Sequence, residues 1–463
     1  MILGLESNTI VRWPATRLRK VASRSIVSLA IVGSVTGCGL WADDLATTSA
    51  PTPTRSATSV ATIEATATVE PASTGTLVPP TSVPTSTPQP TVAIDDLTPS
   101  TKLAYFHTIS PEGDAPELLA QNADFIILTY GDEQYRDALR QAGYAGLILQ
   151  YLNASQVNGP GPYRDSSVEC DTLYEPLRNG IARGVGDFCR DLHPNEDWFL
   201  HNGAGERLYS VIGGVGVWYH MDPGNSEWRA YASQAIARDI VGPNAAGFDG
   251  AFLDNVELSL TRLVEQVSNA DGIVREYPRH SDYHVAWDGY LEQIRARAGP
   301  GSRIWASLVS DPNRGTLWSS YLAHLDGVMS PAFATGYDPL SENAWENNLS
   351  QAEAAIGNGK DVVAVSLGTQ DDAAWQQFAL ASYLLISDGE HAFFRYMSDE
   401  SKQALVTLWT YPNYEIRLGA ALGPRTKSGA TWRREFQCGY VEVNPTSRLG
   451  TIVQTACESG TEP

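Results

Sequence analysis

Beyond Thr101 the chain alternates between short apolar runs and segments in which apolar residues recur at helical spacing. "KLAYFHT" (102–108), "ADFIILTY" (123–130) and "AGLILQYLN" (145–153) read as strands, with "APELLAQN" and "EQYRDALRQAG" between them as helices. The series continues with "GVWYHMD" (216–222), a helical "SEWRAYASQAIARDIV" and the run "GFDGAFLDN" (247–255). After a further helix come "RIWASLVS" (303–310), "LDGVMSP" (325–331), "DVVAVSLGT" (361–369) and "HAFFRY" (391–396). Strand–helix alternation of this kind predicts a parallel sheet with crossover helices, and the number of units favours a (β/α)8 TIM barrel, class α/β. Nine candidate strands stand where eight are needed, so one is misread or lies outside the barrel. The barrel is expected over 100–400. The strand-like tail "TWRREFQCGYVEVNPTSRLGTIV" predicts a β-rich extension over 401–457. No dinucleotide fingerprint or P-loop follows an early strand.

The N-terminal part is different material. Five basic residues and one acid precede the run "SIVSLAIVGSVTG", which is too short to span a bilayer and has the flanks of a secretory signal. It ends in "VTGC", which looks like a bacterial lipobox and implies cleavage after residue 37 and lipidation of Cys38. Residues 38–99 are rich in Thr, Ser, Pro and Ala and cannot bury a core, so they read as a disordered tether. The expected location is the extracellular face of the cell envelope, with the membrane reached through the anchor. Removing residues 1–37 leaves 27 basic and 52 acidic residues, a net charge of −25. Such a surface argues against nucleic acid as a partner.

Four further cysteines, Cys170, Cys189, Cys438 and Cys457, suit disulfides in an exported protein. The local pairs 170–189 and 438–457 are the simplest of three connectivities. A zinc site is the alternative, but no C-x-x-C spacing supports it. Residues 153–198 form a long insertion after a strand, on the face where barrel active sites are built. It reads as a substrate-covering loop or a rigid decoration.

In "GFDGAFLDN" a regular strand would put Asp249 and Asp254 on opposite faces, about 16 Å apart along the backbone. They are therefore not a catalytic pair, which needs carboxylates about 5–10 Å apart. Asp254, at the C-terminal end, reads as a site residue and Asp249 as a brace. The partner of Asp254 must come from elsewhere. Asp311, which ends its strand, and Glu257, three residues past Asp254, are the candidates. Asp222 reads as a sugar ligand or as a brace for the next helix. His107, Trp218, His220, Asn255, Tyr337, Arg395 and Tyr396 fall near strand ends, and His201 lies in "FLHNG". Aromatic faces stack on sugars, while His, Arg and Asn bind hydroxyls. No cluster has metal-ligand spacing, and two carboxylates need no cofactor.

"GFDGAFLDN", preceded by "WYHMDPGNSEWRAY", resembles the bacterial TIM barrels described as hypothetical glycosyl hydrolases. "DWFLHNGAGERLY", "DGVM", "HAFFRY" and "EFQCGYVEVNPT" extend the resemblance over roughly 100–453. More remotely, it extends to endo-α-1,4-polygalactosaminidases and α-galactosidase-like barrels. The resemblance implies a barrel acting on carbohydrate with Asp254 as a site carboxylate. Related barrels often place a glutamate after the "DGVM" strand, where this chain has Ser330 and Pro331. The expectation is a glycoside hydrolase acting on an extracellular or envelope polysaccharide by two-carboxylate chemistry. The alternative is a non-catalytic carbohydrate-binding surface lipoprotein, which Ser330 favours.

Overall fold

The computed structural model describes residues 97–106, 113–212, 216–241, 247–309, 318–336, 339–398 and 402–457. It also describes a short antiparallel pair, Ile26–Val27 with Ser34–Val35. Cys38 and most of the tether lie outside the described residues, as do His107, Asp311 and Tyr337.

Counting from residue 104, the strands are β1 (Ala104–Phe106), β2 (Phe125–Leu128), β3 (Leu147–Asn153), β4 (Gln156–Gly159), β5 (Tyr209–Ile212) and β6 (Gly216–His220). There follow β7 (Gly250–Glu257), β8 (Arg303–Val309), β9 (Gly327–Ser330), β10 (Asp361–Leu367) and β11 (Ala392–Met397). The last four are β12 (Thr426–Ser428), β13 (Thr431–Phe436), β14 (Gly439–Asn444) and β15 (Leu449–Gln454). Eight parallel strands are ordered β11-β10-β9-β8-β7-β3-β2-β1. A parallel bridge from Leu103 to Phe394 closes the ring, with the Phe394 N–H donating to the Lys102 carbonyl at 2.7 Å. This is the (β/α)8 barrel the pattern predicts.

The surplus strand is "GVWYHMD". It forms β6, the centre of a three-stranded antiparallel sheet β4-β6-β5 inserted between β3 and the crossover helix Ser226–Val241. A parallel neighbour needs a crossover of a dozen or more residues, usually a helix. Among the described residues none of the α-helices lies between β3 and β6, which is why this strand cannot join the barrel. The insertion is thus larger than a loop. It carries its own aromatic core of Tyr163, Phe188, Phe199 and Tyr219, and the Cys170–Cys189 disulfide ties its outer part.

Register and alternation stack the barrel interior in layers drawn from alternate strands. Ala104, Leu149, Trp305 and Val363 form one, followed upward by Ile127, Phe252, Met329 and Arg395. Phe106, Tyr151, Ser307 and Val365 lie above them, and Asp254 and Met397 above those. At the floor Trp305 stacks on Phe125 with centroids 4.4 Å apart. Gly327 makes room for that indole, since a Cβ there would lie 2.5 Å from the ring.

A repeated brace fixes the lower rim. The aspartate just before each of β2, β7 and β9 reaches sideways to a backbone N–H at the start of the preceding barrel strand. Asp124 accepts from Leu103 (2.7 Å), Asp249 from Ile148 (2.7 Å) and Asp326 from Ile304 (2.8 Å). Two of the three carry an arginine from the last turn of a helix: Arg140 on Asp249 (2.7 Å) and Arg295 on Asp326 (2.6 Å). Each arginine also donates to two loop carbonyls. One motif thereby locks helix, turn and strand together.

The chain beyond 401 does not separate from the barrel at once. Leu405 and Val406 pack into the interior cluster, and the Val406 carbonyl accepts the Tyr105 hydroxyl at 2.8 Å. The extension proper is the four-stranded antiparallel sheet β12–β15. Gly450 sits against the helix Ala373–Leu384, and Trp432 packs on Trp345. The Cys438–Cys457 disulfide closes this sheet's end.

Asp249→Ala is expected to lower unfolding free energy in urea by about 1–3 kcal/mol, because hydrogen bonds to a charged group are lost on both sides of a strand start. A loss indistinguishable from zero would contradict the brace.

Candidate active site

The upper end of β7 is irregular, and the irregularity makes the site. Leu253 pairs with Ala306 and Val256 with Leu308, so three steps on β7 match two on β8. Asn255 has φ 59°, the left-handed conformation that asparagine tolerates better than most residues. This is a β-bulge, with one residue lacking its own partner. In a regular strand Asp254 and Glu257 would point to opposite faces. With the extra residue they point the same way. Leu253 and Val256 both face the helix layer, while Asp254 and Glu257 both face the barrel axis. The two carboxylates are then one pleat repeat apart, about 6–7 Å along the strand.

Both are buried, Asp254 at 0 % and Glu257 at 1 % exposure. The Tyr151 hydroxyl, one layer below on β3, donates to Asp254 Oδ2 at 2.6 Å. Asp254 Oδ1 has no close hydrogen-bond partner among the described residues. Burial pushes Asp254 up to about 6, against the pull of the Tyr151 hydroxyl, the Asn255 backbone, the Ser307 hydroxyl and the Arg262 charge. Gln266 Nε2 donates to Glu257 Oε1 at 3.3 Å, and Arg262 Nε lies 3.9 Å from Oε2. Burial pushes Glu257 up to about 7, Arg262 and Gln266 pull it down, and the charge of Asp254 adds to the push. Between those values the pair retains a proton that isolated carboxylates would have lost. One acid and one base buried on the same face of a strand can serve acid–base chemistry.

The insertion's sheet sits against this end of the barrel. The Ala154 N–H donates to the Asp254 carbonyl at 3.0 Å, and Asn153 Nδ2 reaches Gln156 Oε1 at 3.2 Å. Gln156, Asn158, Trp218, His220 and Ser210 share one face of the sheet, all buried. Ser210 Oγ bridges His220 Nε2 (2.9 Å) and the Gln266 carbonyl (2.8 Å), so this face is linked to the residue that holds Glu257. Burial lowers His220 to about 3, so it stands neutral here. Trp218 presents an indole N–H with no partner among the described residues.

The family model described as "Hypothetical glycosyl hydrolase family 15" matches residues 174–440, more than half of the chain, and takes in β5 and β6 of the insertion's sheet, β7 and the carboxylate pair. The chain belongs to that family. No curated protein matches it in sequence. Among solved structures it is similar to the glycoside hydrolase domain of PelA from Pseudomonas aeruginosa, at 16 % identity and TM-score 0.40. That match covers 67 % of this chain and 99 % of the other. An alpha-galactosidase from Thermus thermophilus is 14 % identical with TM-score 0.39, covering 76 % of this chain and 68 % of the other. The trehalose-6-phosphate hydrolase of Bacillus licheniformis is 12 % identical with TM-score 0.37, covering 66 % of each.

Within this family-15 barrel the other expected site residues divide. Trp218, His220 and Asn255 come to the mouth, Asn255 as the bulge residue. Asp222 does not. It accepts from the Tyr277 hydroxyl and from the Gly224 N–H (2.8 Å), bracing the turn into the helix Ser226–Val241. His201 lies in an ion network, with Nδ1 2.7 Å from Glu276 and Nε2 3.0 Å from Glu196, which Arg207 also grips at 2.6 Å. Burial opposes charge on His201, but Glu276 and Glu196 outweigh it and hold its pKa above the usual value. It fastens the insertion to the segment after β7. Arg395 is two layers below Asp254, its Nη2 donating to the carbonyls of Leu405 (3.1 Å) and Thr407 (2.7 Å). Tyr396 faces outward, its hydroxyl on the Thr369 carbonyl at 3.2 Å. Ser330 also faces outward and accepts from Asn348 Nδ2 at 3.1 Å, so its identity says nothing about the mouth. Gln266 and Arg262 were not among the expected residues. The signal was the cap residue Ser259, two positions after Glu257, which opens the helical segment "LTRLVEQ" carrying both.

The raised Glu257 predicts a pH-dependent stability. Between its ordinary value of 4.5 and about 7 the unfolded chain loses this proton and the folded chain keeps it, so stability falls as pH rises through that window. Glu257→Gln removes the penalty. Relative to the parent, it is expected to gain about 3 kcal/mol between pH 4 and pH 8 in chemical denaturation. A difference that does not change with pH would contradict the buried, proton-holding state.

Proposed function

We propose that the protein is a glycoside hydrolase in which Asp254 and Glu257 carry the reaction. The observation behind this is the bulge at Asn255, which turns both carboxylates of one strand to the barrel axis at the mouth. Glu257, the higher of the two, acts as the proton donor to the leaving glycosidic oxygen. Asp254, with Oδ2 held by Tyr151 and Oδ1 open, acts as the base or nucleophile. Trp218 supplies an aromatic face and an N–H donor to the sugar, with Gln156 and His220 behind it. Because both carboxylates are covered, a glycan reaches them after the insertion's sheet shifts from the mouth. The substrate is an extracellular or envelope polysaccharide, and the protein meets it at the end of a tether anchored by lipid at Cys38. Metabolic labelling with a fatty-acid probe tests the anchor: Cys38→Ser is expected to abolish label and membrane retention, and a labelled Cys38→Ser protein would sink the anchor.

Release of new reducing ends from a polysaccharide panel tests the chemistry. Asp254→Asn and Glu257→Gln are each expected to lower turnover about 10²–10⁴-fold on any glycan the parent cleaves. Full activity in either variant would remove that residue from the mechanism. Glycan binding without turnover by the parent, unchanged in both variants, would favour the non-catalytic alternative.

A further inference from the structure

The helix after β7 places a cation over the carboxylate pair. Ser259 caps the helix Leu260–Gln266, its hydroxyl accepting the Arg262 N–H at 3.4 Å. The cap turns the chain sharply after Glu257 and folds the first helical turn back against the strand it has just left. Arg262 Nε lies 3.9 Å from Glu257 Oε2, close enough for attraction but without hydrogen-bond geometry. The two side chains differ in exposure, 23 % for Arg262 and 2 % for Glu257. A partly solvated cation therefore faces a carboxylate that water does not reach, and its field extends to Asp254.

Among the described residues the other groups facing the pair are Tyr151 from β3, Ser307 from β8, Gln266 from the same helix and Tyr283 from the helix His280–Ala298. None of these carries charge at neutral pH, and burial holds the Tyr283 hydroxyl well above the usual tyrosine range. Two buried carboxylates a pleat apart cannot both ionise without a counter-charge. With one cation present, one negative charge is balanced and the second carboxyl keeps its proton. A tight bidentate ion pair would tie up both Glu257 oxygens. At 3.9 Å the guanidinium acts through its field and leaves Oε2 open to give or take a proton.

We propose that Arg262 is the positioning residue that fixes this pair in its singly ionised state, one carboxylate and one carboxylic acid. Its consequence for turnover rests on the hydrolase reading, while its effect on the pair's charge does not. Arg262 touches neither reacting bond. It acts through Glu257 and Asp254.

Arg262→Gln and Arg262→Lys in the full chain test this with two readouts. Without any glycan, ¹³C NMR follows the Glu257 carboxyl, identified by its loss in Glu257→Gln. Arg262→Gln is expected to raise its titration midpoint by about 1 pH unit, and Arg262→Lys to restore most of the difference. On a glycan the parent cleaves, both limbs of the kcat/KM–pH profile should move upward. Arg262→Gln then loses about tenfold at pH 5.5 and gains about fivefold at pH 8, where the raised acid limb keeps the proton on the donor. An unmoved carboxyl titration, or equal losses at both pH values with the limbs in place, would overturn the proposal. If the parent cleaves no glycan, the hydrolase reading fails and the carboxyl titration alone decides the role of Arg262.

Discussion

Asn255 adds one residue to β7 without a partner on β8, and the common facing of Asp254 and Glu257 depends on that single step. Alternation in a strand is strict, so an odd spacing of three residues separates Asp254 from Glu257 by a sheet's thickness unless something interrupts it. The bulge interrupts it. Both carboxylates enter the same desolvated space, each is pushed above its ordinary range, and Glu257 feels the charge of Asp254. Asparagine is suited to the position because its short polar side chain tolerates positive φ.

Two kinds of aspartate hold opposite ends of this barrel. At the N-terminal rim Asp124, Asp249 and Asp326 accept strand-start N–H groups, and helix-end arginines grip the last two. The charges of Asp249 and Asp326 are paired, burial raises the Asp124 carboxyl, and the work of all three is geometric. At the C-terminal mouth Asp254 has one oxygen held by Tyr151 and one with no close partner. A fully buried carboxylate left in that state opposes stability. Strain of this kind concentrates where function requires it. The insertion covers it with a sheet whose inner face is polar, and His201, held by Glu196, fastens that cover through Glu276 to the chain beyond β7.

The barrel was legible in the sequence because its strands are near-continuous apolar runs separated by helical spacing, as parallel sheets require. "GVWYHMD" misleads because its apolar content matches those runs. The missing evidence was negative: no helical stretch precedes it after Asn153. Alternation rules out a pair within "GFDGAFLDN", position along the strand divides it into a brace and a site candidate, and "FDG" recurs as "LDG" at Asp326 in the same structural place. The partnership of Asp254 with Glu257 was harder to read. It depends on a backbone angle at Asn255 that an "N" in a strand only hints at. Arg395 and Tyr396 illustrate the reverse difficulty: nearness to a strand end in sequence does not tell which layer or face a side chain occupies.

At the mouth the two carboxylates share one space. The direct measurement is the titration of the Glu257 carboxyl, by ¹³C NMR, in Asp254→Asn compared with the parent. Removing the neighbouring charge is predicted to lower the Glu257 midpoint by roughly half a pH unit or more, toward the ordinary glutamate range. A midpoint unchanged by the substitution would mean that Asp254 and Glu257 do not face each other, and the site proposed for this barrel would be contradicted.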